Sequence, residues 1–263
     1  MFESPAGCFY FWGERALYLG PGMPATVHAH HAVQVCIPLS GTVRLRSGPG
    51  TRWRQYAGAV IPSNQPHESD KAVPLIASLW LEPDTDEAQR VVYACGGPRI
   101  IFSIQRFQID AVVPRLREYW HQRRDAQHAA SLVDEVLQIL AARVRLGSRT
   151  DLRVARARAA LGAAPDRRLP LAEVAAHVEL SASRLAHLLR AEMGLPARRY
   201  LLWLRLRDAV GELTRGVSIT TAAHAAGFAD AAHLTRTFRR MLGFTPSAAL
   251  RVSRFVQAAL PRS

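Results

Sequence analysis

Two copies of one helix-turn-helix pattern near the C-terminus constrain the fold of this chain more than any other feature. The first copy occupies residues 171–192 and the second occupies residues 219–242. In the first copy, apolar residues keep helical spacing up to Val178, are interrupted by a short turn, and resume the spacing at Leu185. Each copy is therefore predicted to form two short helices that pack on one another through their apolar faces.

The residues around each turn are suited to start the second helix of the pair. Ser181 stands at this point in the first copy and Asp230 in the second, so both are expected to act as N-caps. Gly227 can adopt the positive φ that the second turn needs. Beyond that turn, Leu234 and Phe238 lie four residues apart and are predicted to form the buried face of the helix.

A further helix is predicted between the two copies, over residues 198–214. Its apolar residues Leu201, Leu204, Ala209 and Leu213 have helical spacing, with arginines on the other faces. A helix of this length measures about 25 Å. The C-terminal part of the chain is therefore expected to be an all-α domain in which one linker helix joins the two helix-turn-helix units.

The residue order of the second copy is specific enough to indicate a family. It reads Gly227-Phe228, then Asp230, then Leu-Thr-Arg-Thr-Phe-Arg-Arg over residues 234–240, and then Gly243-Phe244-Thr245-Pro246. This order resembles the DNA-binding domain of the arabinose-regulator (AraC/XylS) family of bacterial transcription factors, and the resemblance covers roughly residues 151–251. It implies a sequence-specific transcription regulator, an activator more often than a repressor, which contacts promoter DNA and RNA polymerase and has no catalytic activity.

Two positions depart from the family pattern. Glu179 stands where the first turn usually has Gly, and Ala231 and Ala232 replace longer polar residues at base-facing positions of the second copy. Neither departure conflicts with the predicted fold. Both make the recognised DNA sequence harder to infer.

The positive charge of the chain is concentrated in the same region. Residues 1–100 carry no net charge and residues 101–150 carry +3, whereas residues 151–263 hold 18 basic and 8 acidic residues, a net charge of +10. Attraction to DNA phosphates is therefore expected to dominate the affinity and to weaken steeply with salt. All the basic residues except Lys71 are arginine, which is well suited to bidentate contacts with guanine or phosphate.

Residues opposite the buried leucines of each second helix are expected to face the DNA groove. These candidate DNA-binding residues are Ala182, Ser183, Ala186, His187, Ala231, Ala232, Thr235, Arg236 and Arg239. Arg236 is the best candidate for a guanine contact, whereas the alanines can touch only thymine methyl groups. Arg239 is better suited to a phosphate contact, and His187 suits either role.

The N-terminal part has a different pattern, in which short β-rich runs over residues 33–38, 42–46 and 73–81 alternate with Gly and Pro. Such runs are typical of a small antiparallel barrel or sandwich. The spacing of Gly22, His28, His30, Gln34 and Gly41 resembles the first cupin motif, with Gln in place of the usual Glu. A weaker second motif ends at His67 and has Asn64 in a Gly position. The family's sensor domains are often cupin-like.

Three roles are open for His28, His30, Gln34 and His67. Alternate residues of a strand share a face, so His28 and His30 point the same way and can converge with His67. Three imidazoles and an amide oxygen can hold a divalent transition metal such as Zn, Ni, Fe or Cu. The same side chains can instead line a pocket for an organic effector, or be purely structural. His31, one residue out of phase, is expected to face the other side.

Two helices are predicted between the domains, over residues 109–125 and 128–146. The second carries a continuous apolar stripe, formed by Leu132, Val133, Val136, Leu137, Leu140 and Val144. This stripe either packs on the barrel or pairs with a second copy. Because the corresponding helices often dimerise in the family, a homodimer is expected.

The chain is thus predicted to be an α+β protein with an N-terminal cupin-like antiparallel β-barrel and following helices. The expected domains are a sensor at residues 1–105, a helical segment at 106–148, a linker and helix start at 149–157, with Arg149 and Arg153 as candidate phosphate contacts, and the DNA-binding domain at 158–253. A rival hypothesis is a metal-dependent cupin enzyme fused to a DNA-binding domain, in which Glu68 is the candidate acid or base.

The expected location is the cytoplasm. No apolar run reaches membrane-spanning length, and the first residues lack the features of a signal peptide. Cys8, Cys36 and Cys95 show no paired spacing, which favours a reducing compartment.

Overall fold

The computed structural model describes residues 7–70, 73–98, 100–122, 125–141, 151–163 and 170–257. The chain divides into two compact units. The sheet unit comprises Met1–Leu146, Thr214–Gly216 and Thr235–Ser263, and the helical unit comprises Gly147–Leu213 and Val217–Leu234. The predicted linker residue Arg149 and the stripe residue Val144 lie outside the described residues.

Two β-sheets form the framework of the sheet unit. The described strands are β1 (Gly7–Phe11), β2 (Arg15–Gly20), β3 (Ala25–His28), β4 (Val33–Pro38), β5 (Val43–Arg46), β6 (Arg54–Tyr56), β7 (Ala59–Ile61), β8 (His67–Ser69), β9 (Ile76–Leu81), β10 (Phe102–Ser103) and β11 (Ser253–Gln257). The larger sheet has the order β10-β7-β4-β9-β2-β1-β11, and the smaller sheet has the order β3-β8-β5-β6. The prediction of N-terminal antiparallel sheets followed by a helical C-terminal region is confirmed.

The helices after the sheets cover the core of the sheet unit. They are α1 (Asp86–Ala94), α2 (Arg106–Ile109), α3 (Val113–Gln122) and α4 (Ala126–Ala141). Helix α1 is not among the helices predicted from the sequence, although Thr85 accepts a hydrogen bond from the Ala88 amide as its N-cap and Asp86 and Glu87 occupy its first turn. The predicted helix over residues 109–125 is shorter than expected, because α2 and a turn precede α3.

The apolar stripe of α4 is buried inside this single chain. Leu132 and Val133 are 1% and 2% exposed, and they share one core with Leu17 of β2 and Leu79 of β9. Of the two roles open for the stripe, packing on the sheet is therefore the observed one. A homodimer stays a prediction and would need a different surface.

The helical region contains the predicted linker helix and both helix-turn-helix copies. Its helices are α5 (Leu152–Ala163), α6 (Leu171–His177), α7 (Ala182–Met193), α8 (Ala197–Thr214), α9 (Ile219–Ala225), α10 (Ala231–Leu242) and α11 (Pro246–Val252). Helix α8 is continuous, as predicted, and its Trp203, Leu204 and Leu213 are buried. No described helix is both long and apolar enough to cross a bilayer.

Strand β11 returns the end of the chain to the larger sheet. It pairs in parallel with β1, Gly7 with Ser253 through Phe11 with Gln257, whereas the other described pairs are antiparallel. The sequence predicts no strand here, because five residues after a short helix give no periodic signal of their own. The pairing covers the edge that β1 would otherwise expose.

Candidate functional site

The first helix-turn-helix turn is closed by a bonding pattern that ends α6 and starts α7. The Leu180 amide donates to the Ala175 carbonyl at 2.9 Å, and the Glu179 amide donates to the Ala176 carbonyl at 3.2 Å. These two bonds form a Schellman motif, which places Glu179 in the left-handed region with φ +55°. Ser181 then accepts from the Arg184 amide at 3.2 Å, so the predicted N-cap is confirmed.

The second turn repeats this geometry. The Phe228 amide donates to the Ala223 carbonyl at 2.9 Å, the Gly227 amide donates to the His224 carbonyl at 3.1 Å, and Gly227 has φ +76°. Asp230 Oδ1 accepts from the His233 amide at 2.6 Å, which confirms the predicted cap of α10. Gly227 is thus the counterpart of Glu179, and both turns need a residue with positive φ.

Replacing Glu179 with Gly is expected to stabilise the protein by about 0.5–1 kcal/mol. The left-handed conformation costs a residue with a Cβ about 1–2 kcal/mol, and relief of that strain outweighs the about 0.4–1 kcal/mol by which Gly favours the unfolded chain. Denaturant unfolding of Glu179→Gly measures the gain. The matched control is Gly227→Ala, which introduces the same backbone strain in the second turn and should lower the free energy of unfolding by about 1 kcal/mol. A Glu179→Gly protein less stable than wild type would contradict the interpretation.

Seven of the nine candidate DNA-binding residues lie on the sides of α7 and α10 that face away from the buried leucines, whereas Ala182 and Ala231 precede Leu185 and Leu234 by three residues and share their face. On α7, Ala182, Ser183 and His187 are exposed and Ala186 is half-buried; on α10, Ala232, Arg236 and Arg239 are exposed and Ala231 and Thr235 are half-buried. The inner faces are closed, since Leu185, Leu189, Leu234 and Phe238 are at most 2% exposed. Each second helix therefore presents small residues, polar residues and arginines to solvent.

Further exposed arginines occur over residues 184–251. They include Arg184, Arg190, Arg198, Arg199, Arg215, Arg240 and Arg251. Arg153, a candidate phosphate contact, is ion-paired with Asp151 at 2.7 Å. This pairing lowers the pKa of the Asp151 carboxyl to about 2. A phosphate contact by Arg153 would therefore compete with Asp151.

Three buried histidines converge between β3 and β8 of the smaller sheet. His28, His30 and His67 are 8%, 2% and 2% exposed, and their ligand nitrogens all lie within 4.8 Å of one another. The ring centroids of His28 and His67 are 4.0 Å apart, and those of His30 and His67 are 5.0 Å apart. The structure thus brings together the three predicted histidines, although β3 ends at His28 and His30 follows it outside the strand.

Each histidine is oriented by a backbone carbonyl two residues away. Nδ1 lies 2.8 Å from the Thr26 carbonyl in His28, 2.9 Å from the Ala32 carbonyl in His30, and 2.9 Å from the Gln65 carbonyl in His67. A carbonyl only accepts, so these contacts place the proton on Nδ1 and leave Nε2 with its lone pair. Nε2 of His67 is buried and has no hydrogen-bond partner among the described residues.

Gln34 adds an oxygen to the cluster. Its Oε1 lies 3.0 Å from His30 Nε2, and its Nε2 donates to Cys36 Sγ at 3.3 Å. A neutral imidazole has one N–H, yet both ring nitrogens of His30 face oxygen atoms. A cation shared by His30 and Gln34 would remove this mismatch, and so would the reverse orientation of the Gln34 amide, which turns its nitrogen toward His30 Nε2 and its oxygen toward the Cys36 thiol.

Burial keeps the cluster uncharged. Desolvation lowers the pKa of His28 to about 3, with a smaller contribution from His30. Burial also lowers the pKa of His30, and lowers that of His67 well below its usual value, with His28 and His30 adding to the effect on His67. The three side chains are therefore neutral near pH 7, the state in which imidazole binds metal.

The neighbouring titratable groups lie outside the cluster. His31 lies instead beside Glu82 and Asp84, with one ligand atom of each within 4.8 Å of the others. Its Nδ1 lies 3.3 Å from Ser63 Oγ. Glu68, the candidate acid or base of the enzyme hypothesis, is ion-paired with Arg46. Asn64 has φ +60°, so the predicted Gly-like position is confirmed, and its amide donates to the His30 carbonyl at 2.8 Å.

One contact of the histidine cluster was not foreseen from sequence. Gly243, which follows α10, accepts hydrogen bonds at its carbonyl from the Thr26 amide at 3.2 Å and from Thr26 Oγ1 at 3.1 Å. The two residues are 217 positions apart. In the sequence Gly243 is only a part of the family's residue order, and its neighbours give no indication of a partner on β3.

Known proteins resemble this chain at two levels: a domain family matches its C-terminal part, and solved structures match nearly the whole fold. Residues 174–251 match the family of helix-turn-helix domains. The whole structure is similar to ToxT from Vibrio cholerae, with a TM-score of 0.59 and 10% identity over 89% of this chain and 96% of that one. It is also similar to unsaturated fatty acid-bound ToxT from Vibrio cholerae, with a TM-score of 0.56 and 10% identity over 94% and 96% of the two chains.

A transcriptional regulator with an AraC-type DNA-binding domain from Chromobacterium violaceum aligns at 26% identity over 37% of this chain and 88% of its own, with a TM-score of 0.36. No curated protein matches the sequence. The ToxT likeness establishes the fold, and the family match establishes the helix-turn-helix domain.

Proposed function

From an AraC-type helix-turn-helix domain at the C-terminus of a chain with the ToxT fold, we propose that the protein is a regulator that binds promoter DNA through α7 and α10. The observation that carries this proposal is the repeated turn geometry, in which two second helices are capped alike and bury their leucines. Each helix is left with an exposed face and exposed arginines nearby. An effector held by the N-terminal sheets would shift the balance between DNA-competent and incompetent arrangements.

Specific roles follow from the chemistry of the exposed side chains. Arg236 is proposed to contact guanine through its guanidinium, whereas Arg239 and Arg240 are proposed to contact phosphates. Ser183 and His187 are the polar groups that α7 offers to the groove. The alanines Ala182, Ala186, Ala231 and Ala232 can contribute only contacts with thymine methyl groups.

Fluorescence anisotropy with a duplex from the protein's own upstream region tests this proposal. The expected result is a complex at least tenfold tighter than with an unrelated duplex of equal length and base composition. Arg236→Ala should reduce that preference, because a bidentate contact to the correct base contributes about 1–3 kcal/mol of discrimination. Equal affinity for the two duplexes would contradict sequence-specific binding.

We further propose that the effector site is the histidine cluster, holding a divalent transition metal. The orphan Nε2 of His67 and the Nε2 of His30 beside the Gln34 oxygen both fit a bound cation. His28, His30, His67 and Gln34 would be the ligands. An anionic organic effector, such as the fatty acid that accompanies ToxT in one structure, fits this cluster less well, because neutral imidazoles with inward lone pairs repel a carboxylate.

Zinc is expected to raise the melting temperature of the wild-type protein through this site. A ligand at 100 times its dissociation constant stabilises by about 2.7 kcal/mol, which corresponds to about 5–10 °C for a chain of this size. His67→Gln should abolish the rise, whereas His177→Gln, at an exposed position of α6, should leave it intact. A rise that survives His67→Gln would place the metal elsewhere.

The rival hypothesis of a metal-dependent cupin enzyme finds less support. Catalysis at such a site needs an acid or base near the metal, and the candidate Glu68 is bound to Arg46. The cytoplasmic location, the RNA polymerase contact and the homodimer remain predictions that rest on the family resemblance.

A further inference from the structure

Strand β3 connects the histidine cluster with the end of α10. His28 is the last residue of β3, and its Nδ1 lies 2.8 Å from the Thr26 carbonyl. The amide and hydroxyl of the same Thr26 donate to the Gly243 carbonyl. A single residue of β3 therefore orients an imidazole of the cluster and binds the residue that ends α10.

The packing at this point is close enough to require glycine. A Cβ added at Gly243 would lie 2.6 Å from His28 Nδ1, 2.7 Å from Ala25 Cβ and 2.9 Å from the Thr26 carbonyl oxygen. Gly243 also has φ +82°. Two of these three close atoms belong to the backbone or to a short side chain of β3, so the strand cannot yield by a simple rotamer change.

The end of α10 is held on the sheet unit at a second place. After α11, strand β11 pairs with β1 at the edge of the larger sheet. Residues from Thr235 onward accordingly belong to the same compact unit as the sheets. The contact between Gly243 and Thr26 is therefore part of a defined docking of this segment.

We propose that the docking of Gly243 on β3 and the binding of a divalent metal at the histidine cluster stabilise each other. This inference rests on the metal site proposed above. A metal on Nε2 of His28 would strengthen the Nδ1 donation to Thr26 and fix the end of β3, which holds Gly243. By linkage, loss of the docking contact must weaken metal binding by the same factor by which metal stabilises the docking.

Zinc titration of the full-length protein by calorimetry tests the coupling. Gly243→Ala is expected to weaken Zn²⁺ binding by about 10-fold to 100-fold, the range for loss of an outer-shell partner, because the added Cβ would displace the Thr26 carbonyl that accepts from His28 Nδ1. Gly216→Ala is the matched control, because Gly216 has φ +81° and an added Cβ would meet nothing within 4 Å. Both substitutions carry the same backbone strain, and only the first collides with β3.

A second, less disruptive variant keeps the coupling testable if Gly243→Ala does not fold. Thr26→Val removes the hydroxyl bond to Gly243 and keeps the backbone bond, so it should weaken Zn²⁺ binding by a smaller factor, about 2-fold to 5-fold. Far-ultraviolet circular dichroism verifies that each variant is folded.

The outcomes separate this coupling from the proposals on which it rests. Weaker Zn²⁺ binding in Gly243→Ala and Thr26→Val, with Gly216→Ala unchanged, supports the coupling. Wild-type affinity in Gly243→Ala, or an equal loss in Gly216→Ala, overturns it while leaving the metal site in place. No Zn²⁺ binding by the wild type overturns both the coupling and the metal site, and leaves DNA binding to be judged by anisotropy.

Discussion

Phe238→Ala is expected to lower the free energy of unfolding by about 3–5 kcal/mol, the usual cost of truncating a buried aromatic side chain. Phe238 is 2% exposed and forms an edge contact with Phe244 at a centroid distance of 5.7 Å. It is the central apolar residue on the inner face of α10. Loss of its ring leaves a cavity between α10 and Phe244. Denaturant unfolding measures the resulting decrease in the free energy of unfolding.

Arg236→Ala is the matched control, two residues earlier on the opposite side of α10. Because Arg236 is exposed, its substitution should change the stability by no more than about 0.5 kcal/mol. The pair therefore separates folding from recognition: Phe238→Ala lowers stability, and Arg236→Ala lowers only DNA discrimination. A Phe238→Ala protein destabilised by less than 1 kcal/mol would show that this face does not anchor the helix.

The second large effect concerns salt. Raising the salt concentration from 50 to 200 mM is expected to weaken DNA binding by about 10³-fold to 10⁵-fold if six to ten phosphates are contacted. The physical reason is counterion release by a region with a net charge of +10. The slope of log affinity against log salt, measured by anisotropy, gives the number of phosphates.

Single arginine substitutions should show how much each phosphate contact contributes to this slope. Arg240→Ala is expected to reduce the slope by about 1 and to weaken binding alike for all sequences, as for a phosphate contact. Arg106→Ala is the control, since Arg106 is paired with Asp110 on α2, far along the chain from the helix-turn-helix copies. A slope near zero for the wild type would contradict the electrostatic basis of binding.

Local signals explain why the helix-turn-helix part was predictable. Ser181 and Asp230 cap the helices that their positions predict, and Gly227 takes the positive φ that its turn requires. These features depend on residues within one or two turns of helix, so the sequence pattern contains them. Glu179 also adopts a positive φ, which a residue with a Cβ disfavours, because the two hydrogen bonds of the Schellman motif impose it.

The histidine cluster was predictable in part. The spacing of His28 and His30 predicts that they share a face, but β3 ends at His28, and the nitrogen that faces inward depends on carbonyls of the folded backbone. The contact of Gly243 with Thr26 and the pairing of β11 with β1 join residues more than 200 positions apart. No periodicity in one sequence specifies such pairs, because they form only when the distant segments meet.

Footprinting of the upstream duplex tests the central claim most directly, namely that one chain reads two neighbouring stretches of major groove. We predict two protected segments, with Ser183→Ala/His187→Ala removing protection of one segment and Arg236→Ala removing protection of the other. A single protected segment that persists in both variants would contradict the proposed roles of α7 and α10.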